Sequence, residues 1–374
     1  MELGFDAKRI FHNATGLGNY SRDVLRILRL HRPGHGYHAY TPRAGKVPQD
    51  LEGGGLTVSG PRSSLGRAFP ALWRSRGIVG NLVDDRLDLY HGLSAELPEG
   101  LEHTGIASVV TVHDLIFERA PELYPVIDRA LYRAKARSAA RRAHRVVAIS
   151  EETARDVERF HGVPRERIRV VPPTCHPSFR APIPAVALEG VARRYAAPAR
   201  FVLAVGTIER RKNLAVAVDA LRGLEKDVHL LVLGRPTPYL GELEAQVRRR
   251  GLEARVRFLH GVPTPDLVAL QRLATVAVYP SLVEGFGLPI LEALASGTPC
   301  VTSRGGCFEE AGGDAAAYVD PRDPIELRDV LAAILADPER RRAMIERGLA
   351  HAARFDDAVV ARALFEVYEE ARAA

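Results

Sequence analysis

Short apolar segments alternate with amphipathic ones along the whole chain. The apolar segments are rich in Val, Ile and Leu and are nearly continuous, as in strands buried on both faces of a parallel sheet. They fall into two series, which predicts two sheets. The predicted strands are Leu3–Asp6, Tyr37–Thr41, Asp88–His91, Ser108–Val112, Arg145–Ile149 and Ile168–Val171 in the first series, and Phe201–Val205, Val228–Leu233, Val256–Leu259, Val276–Tyr279 and Pro299–Thr302 in the second.

The segments between the strands predict helices. Tyr20–Leu30, Asn213–Leu224 and Leu267–Leu273 each repeat apolar residues at the spacing of one helix face. Because strands and helices alternate, we expect a doubly wound α/β architecture. Two such series predict two Rossmann-like domains with a cleft between them, and ligands in such sheets bind beyond the carboxyl ends of the strands.

Prolines are frequent between the two series, and such density ends regular structure. We predict a linker near residues 172–198, an N-terminal domain of residues 1–180 and a C-terminal domain of residues 195–354. The late amphipathic segment Phe355–Arg372 predicts a helix that packs back on the N-terminal domain.

The composition narrows the class of protein. Of the 374 residues, 46% are hydrophobic and 26% are charged, so each half is able to bury a core. The formal net charge of +6 fits an anionic partner, and it also fits a solvated, arginine-rich surface. Three cysteines without a CxxC pair indicate a reducing compartment and no zinc site. The first residues lack an export pattern and no segment is long and apolar enough to span a bilayer, so we expect a cytoplasmic protein.

A glycine-containing segment, Thr15-Gly16-Leu17-Gly18-Asn19-Tyr20, leads into the first predicted helix. Glycines let backbone N–H groups approach an anion, and a helix N-terminus favours negative charge. Ser21 occupies the place of the third glycine of a dinucleotide fingerprint. The segment indicates either a phosphate site or a tight turn without a ligand.

His113 and Asp114 come directly after the predicted strand Ser108–Val112. A histidine at the carboxyl end of a strand faces the expected cleft, where it is able to donate to a sugar hydroxyl or to charge formed in a reaction. The alternative is structural: His113 satisfies a loop carbonyl and Asp114 caps a helix.

Three consecutive cations, Arg210, Arg211 and Lys212, follow the strand Phe201–Val205 and open a predicted helix. Positive charge at a helix N-terminus opposes the helix dipole, so an anion is needed nearby. A diphosphate would meet this need, since arginine binds two oxygens at once and lysine acts as a point charge. Glu209 is a partial offset, which leaves a purely structural interpretation open.

Glu284 and Glu292 are separated by seven residues in the segment Ser281–Ala293. Gly285 and Gly287, which lie between them, permit close approach of the backbone to a ligand. A solvated pair of carboxylates is the alternative interpretation, but the apolar and glycine-rich surroundings disfavour it.

The same segment predicts the start of a helix, because Pro289 is suited to a first helical turn. The N–H groups of Phe286 and Leu288 would then be free to bind phosphate. Glu292 would lie about one turn into the helix and accept hydrogen bonds from ribose hydroxyls, while Glu284 would hold the sugar.

The segment Ser281–Ala293 resembles the EX7E motif of the retaining glycosyltransferases of family 4, which have the GT-B fold. The resemblance extends over nearly the whole chain, through Val110–Asp114, Arg145–Ser150, Arg167–Pro172, Gly206–Asn213, Gly297–Val301, Glu310–Ala315 and Tyr318–Pro321. The G-T-x-E-x-R-K-N form of Gly206–Asn213 resembles that of mannosyltransferases, which use GDP-mannose.

The resemblance implies roles for the motif residues. It assigns catalysis to His113 and Glu284, and donor binding to Gly16, Gly18, Arg211, Lys212, Gly285, Phe286, Gly287, Leu288 and Glu292. Two positions depart from the family pattern. Thr207 stands where some members have arginine, and Pro173-Thr174 stands where many have Asn-Gly, so one cationic contact and the linker geometry do not carry over.

The family mechanism implies transfer of a hexose with retention at the anomeric carbon, through front-face attack assisted by the leaving phosphate. The donor would be a GDP-, UDP- or ADP-sugar, and the acceptor a glycan or lipid-linked molecule of surface polysaccharide or glycolipid synthesis. No cofactor and no metal is required on this interpretation. The acidic segment Val83–Asp88 is not a DxD motif at a strand end and predicts a solvated helix end.

Two basic segments bear on the partners of the protein. Arg129–Arg145 is a basic helical pattern, and Phe69, Leu72 and Trp73 lie among arginines. Such surfaces bind anionic lipid, which would place the protein peripherally on the inner face of the membrane. A solvated helix face and an ordinary packed tryptophan are the alternative.

Other classes of protein fit less well. An NAD-dependent oxidoreductase needs the dinucleotide glycine fingerprint, which residues 15–21 lack. No nucleic-acid-binding module is recognisable, so we expect no nucleic-acid partner. A non-catalytic, sugar-nucleotide-binding partner subunit is the alternative to an enzyme.

Overall fold

A computed structural model describes residues 1–13, 16–43, 45–48, 51–52 and 55–374. The chain divides into two compact units. The first unit consists of Met1–Thr174 and Asp356–Ala374, and the second unit consists of Cys175–Phe355. The last helix of the chain therefore belongs to the first unit, although it follows the whole second unit in sequence.

The described part of the first unit contains one seven-stranded parallel sheet in the order β3-β2-β1-β4-β5-β6-β7. Its strands are β1 (Glu2–Asp6), β2 (Gly36–Tyr40), β3 (Leu56–Ser59), β4 (Leu89–Gly92), β5 (Ala107–Val112), β6 (Arg145–Ala148) and β7 (Ile168–Val170). Its helices are α1 (Lys8–His12), α2 (Gly16–His31), α3 (Ser64–Ala68), α4 (Pro70–Leu72), α5 (Ile78–Asp84), α6 (Ile116–Arg119), α7 (Val126–Arg142), α8 (Glu151–Asp156) and, in chain order after those of the second unit, α17 (Asp357–Arg372).

The second unit contains a six-stranded parallel sheet in the order β10-β9-β8-β11-β12-β13. Its strands are β8 (Arg200–Val205), β9 (Val228–Leu233), β10 (Val256–Leu259), β11 (Val276–Tyr279), β12 (Cys300–Ser303) and β13 (Ala317–Val319). Its helices are α9 (Ala185–Arg194), α10 (Leu214–Leu221), α11 (Tyr239–Arg249), α12 (Thr264–Leu273), α13 (Leu288–Ala295), α14 (Cys307–Gly312), α15 (Pro324–Ala336) and α16 (Pro338–Ala352).

The strand order of each sheet reverses at one place, between β1 and β4 in the first unit and between β8 and β11 in the second. Connections leave such a pair of strands toward opposite sides, which opens a crevice at the carboxyl ends. The central strands are buried on both faces, as their predominance of Val, Leu and Ala predicts. The topology therefore points to the loops after these two strand pairs as places for chemistry.

The sequence predicted eleven strands, and the structure confirms all of them to within one or two residues at each end. It missed β3 and β13, which lie at the edges of their sheets. Both are three or four residues long and partly exposed, so neither shows the continuous apolar run of a central strand. The fold class, α/β with two Rossmann-like domains, is confirmed.

Two boundaries differ from the prediction. Helix α2 begins at Gly16 rather than at Tyr20, so Gly16 and Gly18 lie in its first turn and not in a loop; Thr15 lies outside the described residues. The segment predicted as a linker near 172–198 contains α9, which packs on α12 and belongs to the second unit. Pro184 immediately precedes α9, and a proline there does not interrupt a helix because it needs no N–H partner.

Candidate functional site

The loops that follow β8 and β11 meet at the switch point of the second sheet. Asn213 joins them: its side-chain amide donates to the carbonyl of Pro280 at 3.1 Å and to that of Pro321 at 2.6 Å. Asn213 has a φ of 54°, in the left-handed region that asparagine tolerates better than most residues. This residue therefore fixes where the preceding cations lie relative to the loop after β11.

Arg211, Lys212 and Glu284, predicted from separate motifs, form one ion-paired cluster. Lys212 Nζ lies 2.6 Å from Glu284 Oε1, and Arg211 Nη1 lies 2.5 Å from Glu284 Oε2. Glu209 contacts Arg211 Nη2 at 2.8 Å. The sequence placed the three cations at the N-terminus of a helix; they lie instead in a single 3-10 turn, and α10 begins only after Asn213.

Tyr279, the last residue of β11, is a part of the cluster that the sequence did not indicate. Its hydroxyl accepts a hydrogen bond from Lys212 Nζ at 2.6 Å, and Lys212 Nζ also lies 4.7 Å from the centre of its ring. The ring is buried, so the Tyr279 hydroxyl and the Glu284 carboxylate together hold the ammonium group of Lys212. A tyrosine at the end of a buried strand is an ordinary core residue in sequence, and only the fold brings it to Lys212.

Burial and charge oppose each other within the cluster. Burial by itself would raise the pKa of Glu284, but the charges of Lys212 and Arg211 outweigh it and hold the pKa below its usual range. Burial lowers the pKa of Lys212, and Glu284 offsets this only in part. Burial would also lower the pKa of Arg211, but the charge of Glu284 reverses the shift. The charge that each of the three groups carries therefore depends on the other two.

Arg210, the first of the three cations, does not join the cluster. It pairs with Glu242 at 2.7 Å and lies 5.2 Å from the ring of Tyr239, and its side chain is exposed. In the described part of the chain, no group of three or more His, Cys, Asp and Glu side chains is arranged to hold a metal ion.

The residues that follow Glu284 in the segment Ser281–Ala293 build the N-terminus of α13. Gly287 precedes the helix with a φ of 109°, a conformation that residues with a Cβ rarely adopt. Pro289 occupies the first turn, as predicted. Gly285 and Phe286 are buried and Leu288 is partly buried, with the ring of Phe286 5.7 Å from that of Phe355. Glu292 lies in the second turn of α13 and is partly exposed.

His113, in the first unit, makes the contact that its structural interpretation predicted. Its Nε2 lies 2.8 Å from the carbonyl oxygen of Leu93, which only accepts, so Nε2 carries the proton and Nδ1 the lone pair. Asp114 accepts from the N–H of Ile116 at 3.2 Å. Burial lowers the pKa of His113 to about 4. At neutral pH its Nδ1 is therefore able to accept a hydrogen bond from a ligand, whereas the sequence suggested that His113 donates one.

A chain of hydrogen bonds runs beneath His113. The Oη of Tyr368, on α17, lies 2.7 Å from His91 Nδ1; His91 Nε2 lies 2.8 Å from Thr111 Oγ1; and Thr111 Oγ1 lies 3.1 Å from Tyr20 Oη. The ring of Tyr20 meets that of His113 edge-on, with their centres 4.6 Å apart. These buried contacts fix His113 to α2 and to α17 at once.

We expect the thermal midpoint of unfolding to fall as the pH is lowered from about 6.5 toward 4. Burial lowers the pKa of His91 to about 3, so the folded chain keeps this ring neutral while the unfolded chain takes up a proton. The contribution of His91 to the free energy of unfolding is fully present above the pKa of an unfolded histidine, near 6.5. Below that pH the contribution is lost by up to about 1.4 kcal/mol per pH unit. Thermal unfolding between pH 7.5 and 4.5 measures the slope. His91→Gln should reduce the slope, part of which remains because burial also lowers the pKa of His113, and the exposed His103→Gln should leave it unchanged. An unchanged slope in His91→Gln would contradict this account.

The two candidate glycines of α2 differ in their surroundings. A Cβ on Gly18 would lie 1.8 Å from the carbonyl oxygen of Asn13, whereas one on Gly16 would meet nothing within 4 Å. Arg22 also holds this turn, donating to the carbonyls of Ile10 at 3.0 Å and Asn13 at 2.9 Å. Gly18 is thus required for packing, whereas the position of Gly16 has space for a side chain. Gly16, Gly18 and His113 lie in the first unit, and the other candidate residues lie in the second.

Two family models match the chain, one in each half. The model described as "Glycosyltransferase Family 4" matches residues 16–179, and that described as "Glycosyl transferases group 1" matches residues 196–351. Among curated relatives, the O-antigen chain mannosyltransferase B of Escherichia coli is 29% identical over 370 residues, which cover 95% of this chain and 96% of the relative. A D-inositol 3-phosphate glycosyltransferase of Xylanimonas cellulosilytica is 35% identical over 240 residues, 60% of this chain and 57% of that protein.

Solved structures share the fold over nearly the full length. The crystal structure of Anabaena Alr3699/HepE in complex with UDP and glucose has a TM-score of 0.76 at 20% identity and covers 98% of both chains. That of WaaG, a glycosyltransferase involved in lipopolysaccharide biosynthesis, has a TM-score of 0.72 at 20% identity and covers 96% of this chain and 97% of the other. The family models, the relatives and the fold agree: this chain belongs to the family 4 glycosyltransferases with the GT-B fold.

Proposed function

We propose that this glycosyltransferase moves a hexose, with mannose favoured, from a nucleotide-diphosphate sugar to a glycan or lipid-linked acceptor, with retention at the anomeric carbon. The observation that carries the proposal is the cluster of Arg211, Lys212 and Glu284 at the switch point of the second sheet. Cations, a carboxylate and the N-terminus of α13 share this place, which suits a diphosphate joined to a hydroxyl-rich sugar.

In the proposed reaction, bonds form and break between the donor and the acceptor, and the protein itself forms no covalent bond. The bond from the anomeric carbon to the diphosphate oxygen breaks, the acceptor oxygen bonds to the same face, and the acceptor proton passes to the leaving phosphate. Negative charge grows on the diphosphate during this step, and Arg211 and Lys212 would stabilise it. Glu292 would bind the ribose, and the free Nδ1 of His113 would accept a hydrogen bond from a sugar hydroxyl.

The names of the relatives support the finer parts of the proposal. One relative that matches nearly the whole chain is named O-antigen chain mannosyltransferase B, which favours mannose as the sugar and a glycan or lipid-linked acceptor in surface polysaccharide synthesis. The relatives that act on D-inositol 3-phosphate align with little more than half of their own length, so a small phosphorylated acceptor has weaker support.

The donor is tested by thermal unfolding with GDP, UDP, ADP and NAD, followed by turnover with the matching nucleotide sugar. A ligand at about 100 times its dissociation constant stabilises by about 2.7 kcal/mol, which is several degrees for units of this size. We expect a shift with GDP and turnover of GDP-mannose. A shift without turnover, when acceptor glycans are supplied, would favour a non-catalytic partner subunit. The absence of a shift with all three nucleoside diphosphates would contradict the proposal.

We propose in addition that a basic and apolar surface of the first unit binds anionic lipid, which would hold the protein at the inner face of the membrane. Phe69 and Leu72 are more than half exposed, as are Val126 and Ile127 at the start of α7. Glu96 joins these two areas, because it pairs with Arg74 on one side and with Lys135 on the other, at 3.4 Å.

Trp73 is buried and donates to Asn81, so it belongs to the core. Within the described residues, no helix is long and apolar enough to cross a membrane.

Sedimentation with liposomes tests the surface. We expect salt-sensitive binding to vesicles that contain phosphatidylglycerol and none to vesicles of phosphatidylcholine alone. Ile127→Ser, at a side chain 82% exposed, should weaken binding, whereas Val186→Ser, 71% exposed in the second unit, should not. Equal sedimentation of both variants with the anionic vesicles would remove this part of the proposal.

A further inference from the structure

Both carboxylate oxygens of Glu284 are taken up by the cations that a donor diphosphate would need. Oε1 pairs with Lys212 and Oε2 with Arg211, and the side chain of Glu284 is 9% exposed. Glu209 adds a second carboxylate beside Arg211. The two carboxylates balance the charge of the two cations, so the pairing offsets the attraction of Arg211 and Lys212 for an incoming anion.

The pairing must change when a diphosphate binds. A diphosphate carries at least two negative charges, and like charges repel more strongly in a buried setting than in water. Glu209 is 35% exposed, so solvent screens its charge. Glu284 is buried and would lie beside the incoming anion, which makes it the carboxylate that has to give way.

We propose that Glu284 is a resident counter-ion, which the diphosphate of the donor displaces from Arg211 and Lys212. The carboxylate then becomes available to accept hydrogen bonds from the sugar only once the diphosphate is in place. This inference rests on the proposed function, because it takes the incoming anion to be the donor. Glu284 would thus pair first with the two cations and then with the sugar. Binding of the sugar would therefore depend on prior binding of the diphosphate.

Tyr279 makes such an exchange feasible. Its hydroxyl holds Lys212 by a hydrogen bond of 2.6 Å, so Lys212 keeps its position when Glu284 leaves. Arg211 likewise retains the carbonyl of Val283, at 3.3 Å, and Glu209. The two cations are thus fixed by groups other than the carboxylate that is exchanged.

Calorimetric titration with inorganic pyrophosphate tests the exchange without any sugar or turnover. At pH 6.5, which favours the protonated form of Lys212, we expect Glu284→Gln to bind pyrophosphate at least about tenfold more tightly than the wild type, since the internal competitor is gone. Glu209→Gln is the matched control, because it removes a carboxylate from the same arginine at a partly exposed position. We expect its affinity to stay within about threefold of the wild type.

The outcomes separate this inference from the proposed function. Pyrophosphate bound by the wild type but no more tightly by Glu284→Gln would overturn the counter-ion role alone. Pyrophosphate bound by neither protein would overturn the donor site itself. Should Glu284→Gln fail to fold, Glu284→Asp provides the same comparison: its shorter side chain weakens the pairing, so a tighter affinity supports the exchange and an unchanged affinity contradicts it.

Discussion

Lys212→Ala is expected to reduce hexose transfer by about 100- to 1,000-fold. The ammonium group would meet the charge that develops on the leaving diphosphate, and the loss of one such preorganised donor costs about that factor. The folded structure should survive, because Glu284 keeps its contact with Arg211 at 2.5 Å. Steady-state kinetics with the nucleotide sugar identified by thermal shift, together with a thermal unfolding curve of the variant, would measure both effects.

Arg210→Ala supplies the matched control. Arg210 is the neighbour of Arg211 in sequence, but it pairs with the exposed Glu242 and contacts Tyr239 away from the cluster. We expect its activity to stay within about threefold of the wild type. A loss of activity common to both variants would mean that general positive charge, rather than the position of Lys212, matters. Activity of Lys212→Ala near that of the wild type would contradict the assignment of the diphosphate site.

Gly234→Ala is expected to be the most damaging single methyl addition in the second unit. A Cβ at this position would lie 1.7 Å from the carbonyl oxygen of Gly206, directly after strands β8 and β9. The backbone on both sides is fixed by hydrogen bonds, from Gly206 N to Leu233 O at 2.9 Å and from Ile208 N to Arg235 O at 3.0 Å. We expect a loss of about 3 kcal/mol, or roughly 6–12 °C in the thermal midpoint.

The same substitution should weaken donor binding, because Gly206 begins the loop that carries Arg211 and Lys212. Gly241→Ala is the control: it lies within α11, a Cβ there meets nothing within 4 Å, and alanine favours a helix by up to about 1 kcal/mol. Its thermal midpoint should stay level or rise. A wild-type midpoint and wild-type nucleotide affinity in Gly234→Ala would show that the two backbones can move apart at no cost.

The sequence predicted the second unit better than the first. Its central strands are continuous apolar runs, and the motif residues follow them directly, so the topology of parallel sheets was enough to bring Arg211, Lys212 and Glu284 to one edge. The pairing among these three could not be predicted, because an ion pair is set by side-chain positions within a few ångströms. For the same reason Tyr279 was missed, since its residue type and position are those of a core residue.

The pattern of hydrophobic and polar residues predicted less of the first unit. The glycines near residue 16 were placed in a loop because no apolar period covers Gly16–Asn19, yet the helix begins there. Gly18 is small for a packing reason, the approach of Asn13, which no local pattern reveals. For His113 two interpretations were stated, and the hydrogen bond to Leu93 supports the structural one for Nε2 while leaving Nδ1 for a ligand.

The membership of α17 in the first unit has a consequence for the order of folding during synthesis. Strands β1 to β7 leave the ribosome first, but Tyr368, which closes the hydrogen bonds of the buried His91, and Asp357, which pairs with Arg26, follow the entire second unit. The second unit is continuous in sequence and is able to fold while the first waits. The half of the protein that is begun first would therefore be completed last, and a chain interrupted near residue 355 would carry a folded second unit beside an unfinished first one.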